Sequence, residues 1–511
     1  MREVLKVSPT EVFEQLSNNY FIDGSYKISA SGEHFDVLNP ATEEKLGSVS
    51  DCTADEVAAV LDVSVEVQKR WWAQSGLHRA EKLHEVARTL KARRHELATL
   101  MTMEMGKPYK ESADEVDWCV TALDYYAEIG RHDMGNVIAP AVEGQFHYTI
   151  KEPYGVVALI LPFNFPYVLL CWEAAAALAS GNSVVVKPSE HSSLCTLKFM
   201  EIFEALPVGL VQCVTGGGRV GGQLCSSEKT NMVAFTGSVP TGRIVAKTCA
   251  ETFKPHLIET SGNDPFIVMP SAPLDKAIRG ACFAAYINAG QVCTSAERFF
   301  VHEDVYDDFV EGLANEARKL RIGNGLGKVD IGPMVNRRER DRYEGIIARA
   351  IEQGARVVTG AKRPEGMSEG NFQEPTVLAD VTVDMDIMNN ESFGPVAPIC
   401  KVSSLEEAIS HANNSRFGLG ANLYSLKLDE VMRAINGIET GMVWVNAPLL
   451  DNDAGPFGGV KLSGSGRQLG PEGLDSFRNT KLVMIDPEAA AQDFWWFPYS
   501  DDESFSANSP K

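Results

Sequence analysis

Asn288 to Thr294 reads Asn-Ala-Gly-Gln-Val-Cys-Thr, which places Cys293 behind Gly290, a residue that permits close backbone approach. Taken singly, a cysteine is most often a small buried hydrophobe; in a setting open to a ligand it is a nucleophile. A second chemical pattern is GGGRVGG, in which Gly216, Gly218 and Gly221 have the GxGxxG spacing of a dinucleotide-binding turn. The same glycines also serve to pack a helix against a strand, and no acid follows a strand about 20 residues on, so both readings stay open. Gly323, Gly325 and Gly327 have neither that spacing nor that context and read as a loop. No GxxxxGK[ST], HExxH or GxSxG occurs, so ATP-driven, zinc-peptidase and serine-hydrolase chemistry lose their main support.

The elements that must position these residues follow from the pattern around them. From Gly155 onward β-branched runs alternate with helical stretches: VVALIL to Leu161, SVVVK to Lys187, LVQCV to Val214, MVAF to Phe235 and HLIE to Glu259. This alternation predicts a parallel sheet wound with helices on both faces, and ligands on such sheets sit at the carboxyl ends of the strands. Asn164, Lys187, Glu190, Gly237 and Glu259 all fall there. The apolar stretch from Tyr154 to Trp172 is interrupted by Pro162, Asn164 and Pro166, so it reads as strand, turn and helix rather than a membrane span.

Leu83, Val86, Ala87, Leu90, Leu97 and Leu100 predict one amphipathic helix ending at Gly106, Lys107 and Pro108. A second α/β region begins near Asp264, with FIVM and RFFVH as strands and a helix from Val305 to Arg321, which puts a domain boundary close to Gly262. The alternating stretch from Met134 to Lys151 and the KLVMI run suit strands that pair with another subunit. Beyond Asp486, Phe494, Trp495, Trp496 and Phe497 are mixed with acids, a patch that either meets a partner or packs back on its own subunit.

With 511 residues, two or more domains are expected. The 47 basic and 69 acidic residues give a net charge of -22, a balance that repels phosphate backbones and anionic lipid, so nucleic-acid and membrane partners are not expected. The ten cysteines form no CxxC and no Cys/His cluster at zinc spacing, so no metal is expected, and reduced thiols fit a cytoplasmic protein. MREVLKVSPTEVFEQL has no apolar signal-peptide core.

Several motifs together resemble the aldehyde dehydrogenase superfamily: PFNFP (Pro162 to Pro166), VKPSE (Val186 to Glu190), FTGSVPTG (Phe235 to Gly242), the Glu259 segment, GQVC ending at Cys293, ESFGPV (Glu391 to Val396) and PFGGVKLSGSGR. They occur in the family's order, and the match extends from roughly Phe21 to Lys481. The resemblance implies an α/β fold: a doubly wound Rossmann-type NAD domain (1–133 and 152–262), an α/β catalytic domain (263–480), and a small β oligomerisation extension (134–151 and 481–500), followed by a tail (501–511). It implies a homodimer or homotetramer.

Residue by residue, Cys293 resembles the nucleophile, which needs a depressed pKa or removal of its proton when substrate binds. Asn164 resembles the side-chain oxyanion donor, where the residues alone leave a turn asparagine as an equal reading. Glu259 matches the general base that activates water against a thioester. The family's usual Glu-Leu-Gly-Gly stands here as Glu259, Thr260, Ser261, Gly262, a departure beside the nicotinamide. Lys187 and Glu190 resemble the adenosine-ribose contacts, and a carboxylate there favours NAD over NADP. Ile160, Gly221 and Phe235 join that set. Gly237 and Ser238, at a helix start, are a better pyrophosphate site than the GxGxxG match. Glu391 and Phe393 resemble the holders of the nicotinamide ribose and ring, and Phe163 stands where many relatives have Trp.

The aldehyde tunnel is expected at Phe165, Val168, Leu169, Trp172, Leu449, Asp451, Asp453 and Phe457. Aromatics with carboxylates suit a cationic tail, which points to betaine aldehyde or an ω-aminoaldehyde; the other reading of Asp451, Asn452 and Asp453 is a solvated loop. No obvious arginine pair approaches the tunnel, which disfavours succinic semialdehyde and other acidic aldehydes. A CoA-acylating relative would use the same cysteine without a deacylating base, and a non-enzymatic relative would have lost Cys293, Glu259 or Asn164.

Overall fold

The structure is a computed structural model and describes residues 8–132, 134–492 and 496–498. Its first sheet has the strand order Gly464–Ser465, His256–Glu259, Met232–Thr236, Val156–Ile160, Ser183–Lys187, Val211–Cys213, Asn19–Ile22, Ser25–Ile28. The five strands from His256–Glu259 to Val211–Cys213 are parallel to one another, as their nearly unbroken apolar runs demand of strands covered on both faces. The chain steps from Val156–Ile160 toward one edge and then crosses back to Met232–Thr236 on the other side. The switch point, where such sheets bind ligands, therefore lies between those two strands.

After Glu259 the chain enters a second sheet at Asp264–Val268, with the order Arg356–Thr359, Thr376–Ala379, Val396–Val402, Ala296–His302, Asp264–Val268, Asn422–Tyr424, Trp444–Val445. It later returns: Gly464–Ser465 pairs antiparallel with Ile258 and Glu259, at the outer edge of the first sheet.

Helix Pro166–Ala179 is buried along its whole length and carries the wall between Asn164 and Trp172. Pro166 pre-sets its first turn, and the N–H groups of Tyr167 and Val168 donate to Glu115 Oε1 at 2.8 and 3.1 Å. Glu115 is itself paired with Lys107, both side chains fully buried, and Lys107 Nζ lies 3.8 Å over the ring of Phe165. A buried pair of this kind fixes geometry more than it adds stability.

The helix expected to run unbroken to Gly106 is two, Gly76–Ala92 and Arg94–Met105. Arg93 leaves helical geometry at the junction, and its guanidinium bonds Glu96 and Glu201 at 3.0 and 2.8 Å.

Arg478–Ile485, Phe146–Pro153 and Val137–Ile138 form a separate antiparallel sheet. Trp496 and Phe497 are exposed; Phe494, Trp495 and the stretch 501–511 lie outside the described residues. No described helix is long and apolar enough to cross a membrane.

Candidate active site

The carboxyl ends of Val156–Ile160, Met232–Thr236 and His256–Glu259 open on a cavity of about 680 Å³. Phe163, Asn164, Phe165, Leu169, Trp172, Gly237, Ser238, Glu259, Cys293, Glu391, Phe393, Asp451 and Phe457 all line it, together with Val168 and Leu449. Asp453 does not. Ile160, Lys187 and Gly221 meet beside it: a side-chain carbon on Gly221 would lie 3.7 Å from Ile160 and 3.7 Å from Lys187. Burial pulls the Lys187 ammonium down, and the nearby Glu190 carboxylate opposes this. Phe235 is buried beneath Gly237, where an added carbon would come within 2.7 Å of its ring.

Cys293 follows a turn in which Asn288, Ala289 and Gly290 take φ of 51°, 55° and 73°, a run in the left-handed region that only outside contacts can hold. Asn288 Nδ2 supplies two of them, donating to Asn164 O at 3.1 Å and Gln291 O at 3.2 Å. Gly290 presses on Gly394, whose oxygen would be 2.2 Å from a side chain there. Asn164 Nδ2 donates to Gln291 O at 3.0 Å, which ties the amide to the loop ahead of Cys293 and leaves its second N–H.

Burial pushes the Cys293 thiol well above its usual range, and Glu259 adds to this. Glu259, 2% exposed, is pushed up to about 8 by burial, with Cys293 and the Thr236 hydroxyl nearby acting the other way. Neither of its carboxylate oxygens meets a donor at hydrogen-bonding geometry among the described residues. This environment disfavours the thiolate of Cys293 and places a carboxyl beside the thiol.

Thr260 and Ser261 are held from the returning chain: Thr260 N donates to Ser463 O at 2.9 Å, and Ser463 Oγ to Ser261 O at 2.8 Å. Ser261 lines the cavity, and its hydroxyl and the Gly262 N–H, 3.2 Å from Oε1, both face Glu391. Glu391 is raised to about 8, by desolvation first and by Glu297 second. Sequence reading passed over Glu297, which accepts from Ser392 N at 2.8 Å, Phe393 N at 2.7 Å and Asn263 Nδ2 at 3.1 Å and so shapes the loop carrying Glu391. Its signal was an acid inside the apolar strand Ala296–His302. Trp118 and Phe283 are further wall residues it passed over.

The residues fit a dinucleotide. Helix Val239–Ala250 starts at the cavity with Ser238 as N-cap, its hydroxyl 3.1 Å from Thr241 Oγ1 rather than on a backbone donor, so first-turn N–H groups face a phosphate position. The GxGxxG turn differs: Gly217 N and Arg219 are bonded to Asp51, so a carboxylate of the chain already sits at that helix start. Phe163 meets Phe393 edge-on, ring centres 6.0 Å apart. Four arginines also line the cavity, at the Ser238 and Glu391 end: Arg342 donates to Glu391 O and Ser392 O, Arg416 to Asn390 Oδ1, Arg338 shares a helix with Arg342, and Arg243 lies one turn inside helix Val239–Ala250. No group of His, Cys, Asp and Glu among the described residues could hold a metal.

The sequence model of the aldehyde dehydrogenase family matches residues 27–483, and the chain belongs to that family. It is 36% identical to the NADP-named succinate-semialdehyde dehydrogenase of Escherichia coli (strain K12), over 94% of this chain and 100% of that one. It is 34% identical to aminoaldehyde dehydrogenase 1, peroxisomal, of Pisum sativum, over 91% and 95% of the two chains. Betaine aldehyde dehydrogenase of Staphylococcus aureus, solved with NAD+, superposes with a TM-score of 0.92 at 30% identity, covering 96% of this chain and 98% of that one. The protein is an aldehyde dehydrogenase, an α/β enzyme that takes a small-molecule aldehyde and a nicotinamide dinucleotide.

Proposed function

We propose that the aldehyde is oxidised by a nicotinamide dinucleotide while bound to Cys293, through a covalent thioester that water activated by Glu259 then hydrolyses. The observation that carries this is the pairing, in one buried space, of a thiol whose ionisation burial opposes with a carboxyl raised to about 8, whose oxygens meet no donor among the described residues. Glu259 takes the thiol proton as the sulfur attacks the aldehyde carbon. The oxygen of the resulting thiohemiacetal is met by the free N–H of Asn164 and the backbone N–H of Cys293. A bound nicotinamide supplies the hydride acceptor for the collapse to thioester. Once Glu259 has given up the thiol's proton, it deprotonates water for attack on the thioester, and Cys293 leaves as the thiolate, which takes water's proton back from Glu259. A CoA-acylating enzyme would need no such base, which favours hydrolysis.

For the cofactor we take NAD, because Glu190 lies three residues beyond the strand Ser183–Lys187, and a carboxylate there would accept from a 2′-hydroxyl and repel a 2′-phosphate. For the substrate we take an ω-aminoaldehyde. The wall includes Trp118, Phe165, Trp172 and Phe457 with Asp451, while Arg342 and Arg416 are bonded to the segment 390–392 around Glu391. Aromatic faces beside a carboxylate suit an ammonium tail. The named substrates of the two relatives, one acidic and one amino, leave both tails within the family's reach, and the charge of this wall favours the second.

The test is NADH formation from ω-amino, betaine, aliphatic, aromatic and acidic aldehydes, with Cys293→Ala and Glu259→Gln alongside. The expected result is the highest kcat/KM for an ω-aminoaldehyde with NAD, and loss of turnover in both variants. Equal rates across the panel overturn the substrate reading; an active Cys293→Ala overturns the mechanism.

A further inference from the structure

Behind Glu259 a buried chain of polar side chains leads away from the cavity. Thr236 pairs in register with Glu259 on the neighbouring parallel strand, and its hydroxyl lies close to both Glu259 and Glu173. Gln468 Nε2 donates to Glu173 Oε1 at 2.6 Å and to Thr236 Oγ1 at 3.4 Å. Gln468 is fixed by paired backbone bonds with Phe457, at 2.6 and 2.8 Å, and Glu173 by the buried helix Pro166–Ala179. Glu173 is 0% exposed, Gln468 2% and Thr236 5%. Glu173 Oε2, Gln468 Oε1 and both oxygens of Glu259 meet no donor among the described residues. A proton taken up in this dry space therefore has two carboxyls to rest on, and either one, once protonated, is itself a donor to the acceptors around it.

We infer that Glu173 is a positioning residue for protons, receiving through Thr236 the one that Glu259 takes from Cys293, so that Glu259 is free to deprotonate water. This rests on the role proposed for Glu259. Turnover brings that carboxylate two protons, first from the thiol and then from water, and it holds one. Between the halves, Glu259-COOH and Glu173-COO⁻ become Glu259-COO⁻ and Glu173-COOH, the Thr236 hydroxyl accepting one proton as it gives up another. Water's proton then goes to Glu259, which returns it to the Cys293 thiolate expelled from the tetrahedral intermediate. The proton on Glu173 is the one net proton of the oxidation (aldehyde, NAD+ and water giving acid, NADH and H+), and it leaves once the product acid has vacated the cavity. Burial raises both carboxyls, to about 8 each, so each favours its protonated form in this space.

The experiment is rapid mixing of the full-length enzyme with NAD and an active aldehyde, comparing the wild type with Glu173→Gln, Thr236→Val and Glu259→Gln. The expected result for Glu173→Gln and Thr236→Val is a first burst of NADH of wild-type rate, followed by steady turnover slowed on the order of 10- to 100-fold. A merely structural defect would slow the burst as well. Wild-type steady rates and kcat–pH profiles in Glu173→Gln, with Glu259→Gln inactive, overturn this inference and leave the general base standing. Wild-type turnover in Glu259→Gln overturns both. Should Glu173→Gln fail to fold, Thr236→Val decides alone: unchanged steady turnover in it overturns the relay.

Discussion

A side-chain carbon on Gly262 would sit 2.0 Å from the carbonyl oxygen of Cys293, so the backbone just beyond Glu259 bears directly on the nucleophile's own peptide. The neighbouring Ser261 instead lines the cavity, which is why a side chain fits there although the related motif has glycine. Gly262→Ala is expected to displace Cys293 and lower kcat/KM on the order of 100-fold, since small misplacements of a reacting group cost that much. Ser261→Gly is expected to keep kcat and to alter mainly KM for the dinucleotide, through Glu391. Steady-state kinetics of the two variants check this.

Glu259 and Glu173 are each pushed up by burial to about 8 from the usual 4.5. Between those values the folded chain binds protons that the unfolded chain has lost. Stability therefore falls as pH rises through that window and is lowest above it. Each unit is worth about 1.4 kcal/mol, so each carboxyl costs on the order of a few kcal/mol at alkaline pH. Glu173→Gln is expected to melt higher than the wild type near pH 9 and equally near pH 4, as read by calorimetry. For catalysis the sign is opposite: kcat/KM for the aldehyde should rise as Glu259 loses its proton near 8.

The strands from Gly155 to Glu259 were legible because fully buried parallel strands are written as short β-branched runs. Cys293 was legible through its neighbours in sequence. Other features carry no such pattern. The return of Gly464–Ser465 to the first sheet is a strand of 2 residues starting at φ 133°, with no periodicity to read. The break at Arg93 is masked because the leucine spacing continues across it. Glu297 and Glu173 read as exceptions within apolar runs, and their partners, the Ser392 and Phe393 amides and Gln468, are distant in sequence.

The proposed preference for NAD rests on Glu190. Its replacement by Ser removes the charge that would face a 2′-phosphate and one acceptor for a 2′-hydroxyl. The ratio of kcat/KM for NAD over NADP is expected to fall about tenfold, matching roughly 1.4 kcal/mol. An unchanged ratio would mean that another residue reads the ribose.

Asp451 is exposed over the residue as a whole, but burial of its carboxyl and the nearby Asp453 raise it to about 7; it shares its wall with Trp172 and Phe457, whose rings lie 5.0 Å apart. An exposed ion pair is worth up to about 1 kcal/mol, so Asp451→Asn should lower kcat/KM for an ω-aminoaldehyde about fivefold. A neutral aldehyde of the same length should be unaffected, and added salt should shrink the difference. Equal losses on both substrates would mean that Asp451 only supports the loop.

The sheet of Arg478–Ile485, Phe146–Pro153 and Val137–Ile138 exposes apolar side chains on both faces. Phe146 pairs with Ile485 and Tyr148 with Val137, so Phe146, Ile485 and Val137 share one face, 49%, 42% and 77% exposed. Met484 and Ile138 both pair with His147 and share the other face with Leu482, at 57%, 39% and 57%. The strand Arg478–Ile485 also stands at the sheet's edge, with one side of its backbone open to pairing. Apolar residues on two faces beside an open edge would be covered if this sheet met a second subunit. Light scattering on the wild type is expected to give a dimer or tetramer, and Leu482→Asp with Met484→Asp a smaller species. A wild-type monomer would remove the sheet's assigned role and leave its exposed faces without an account.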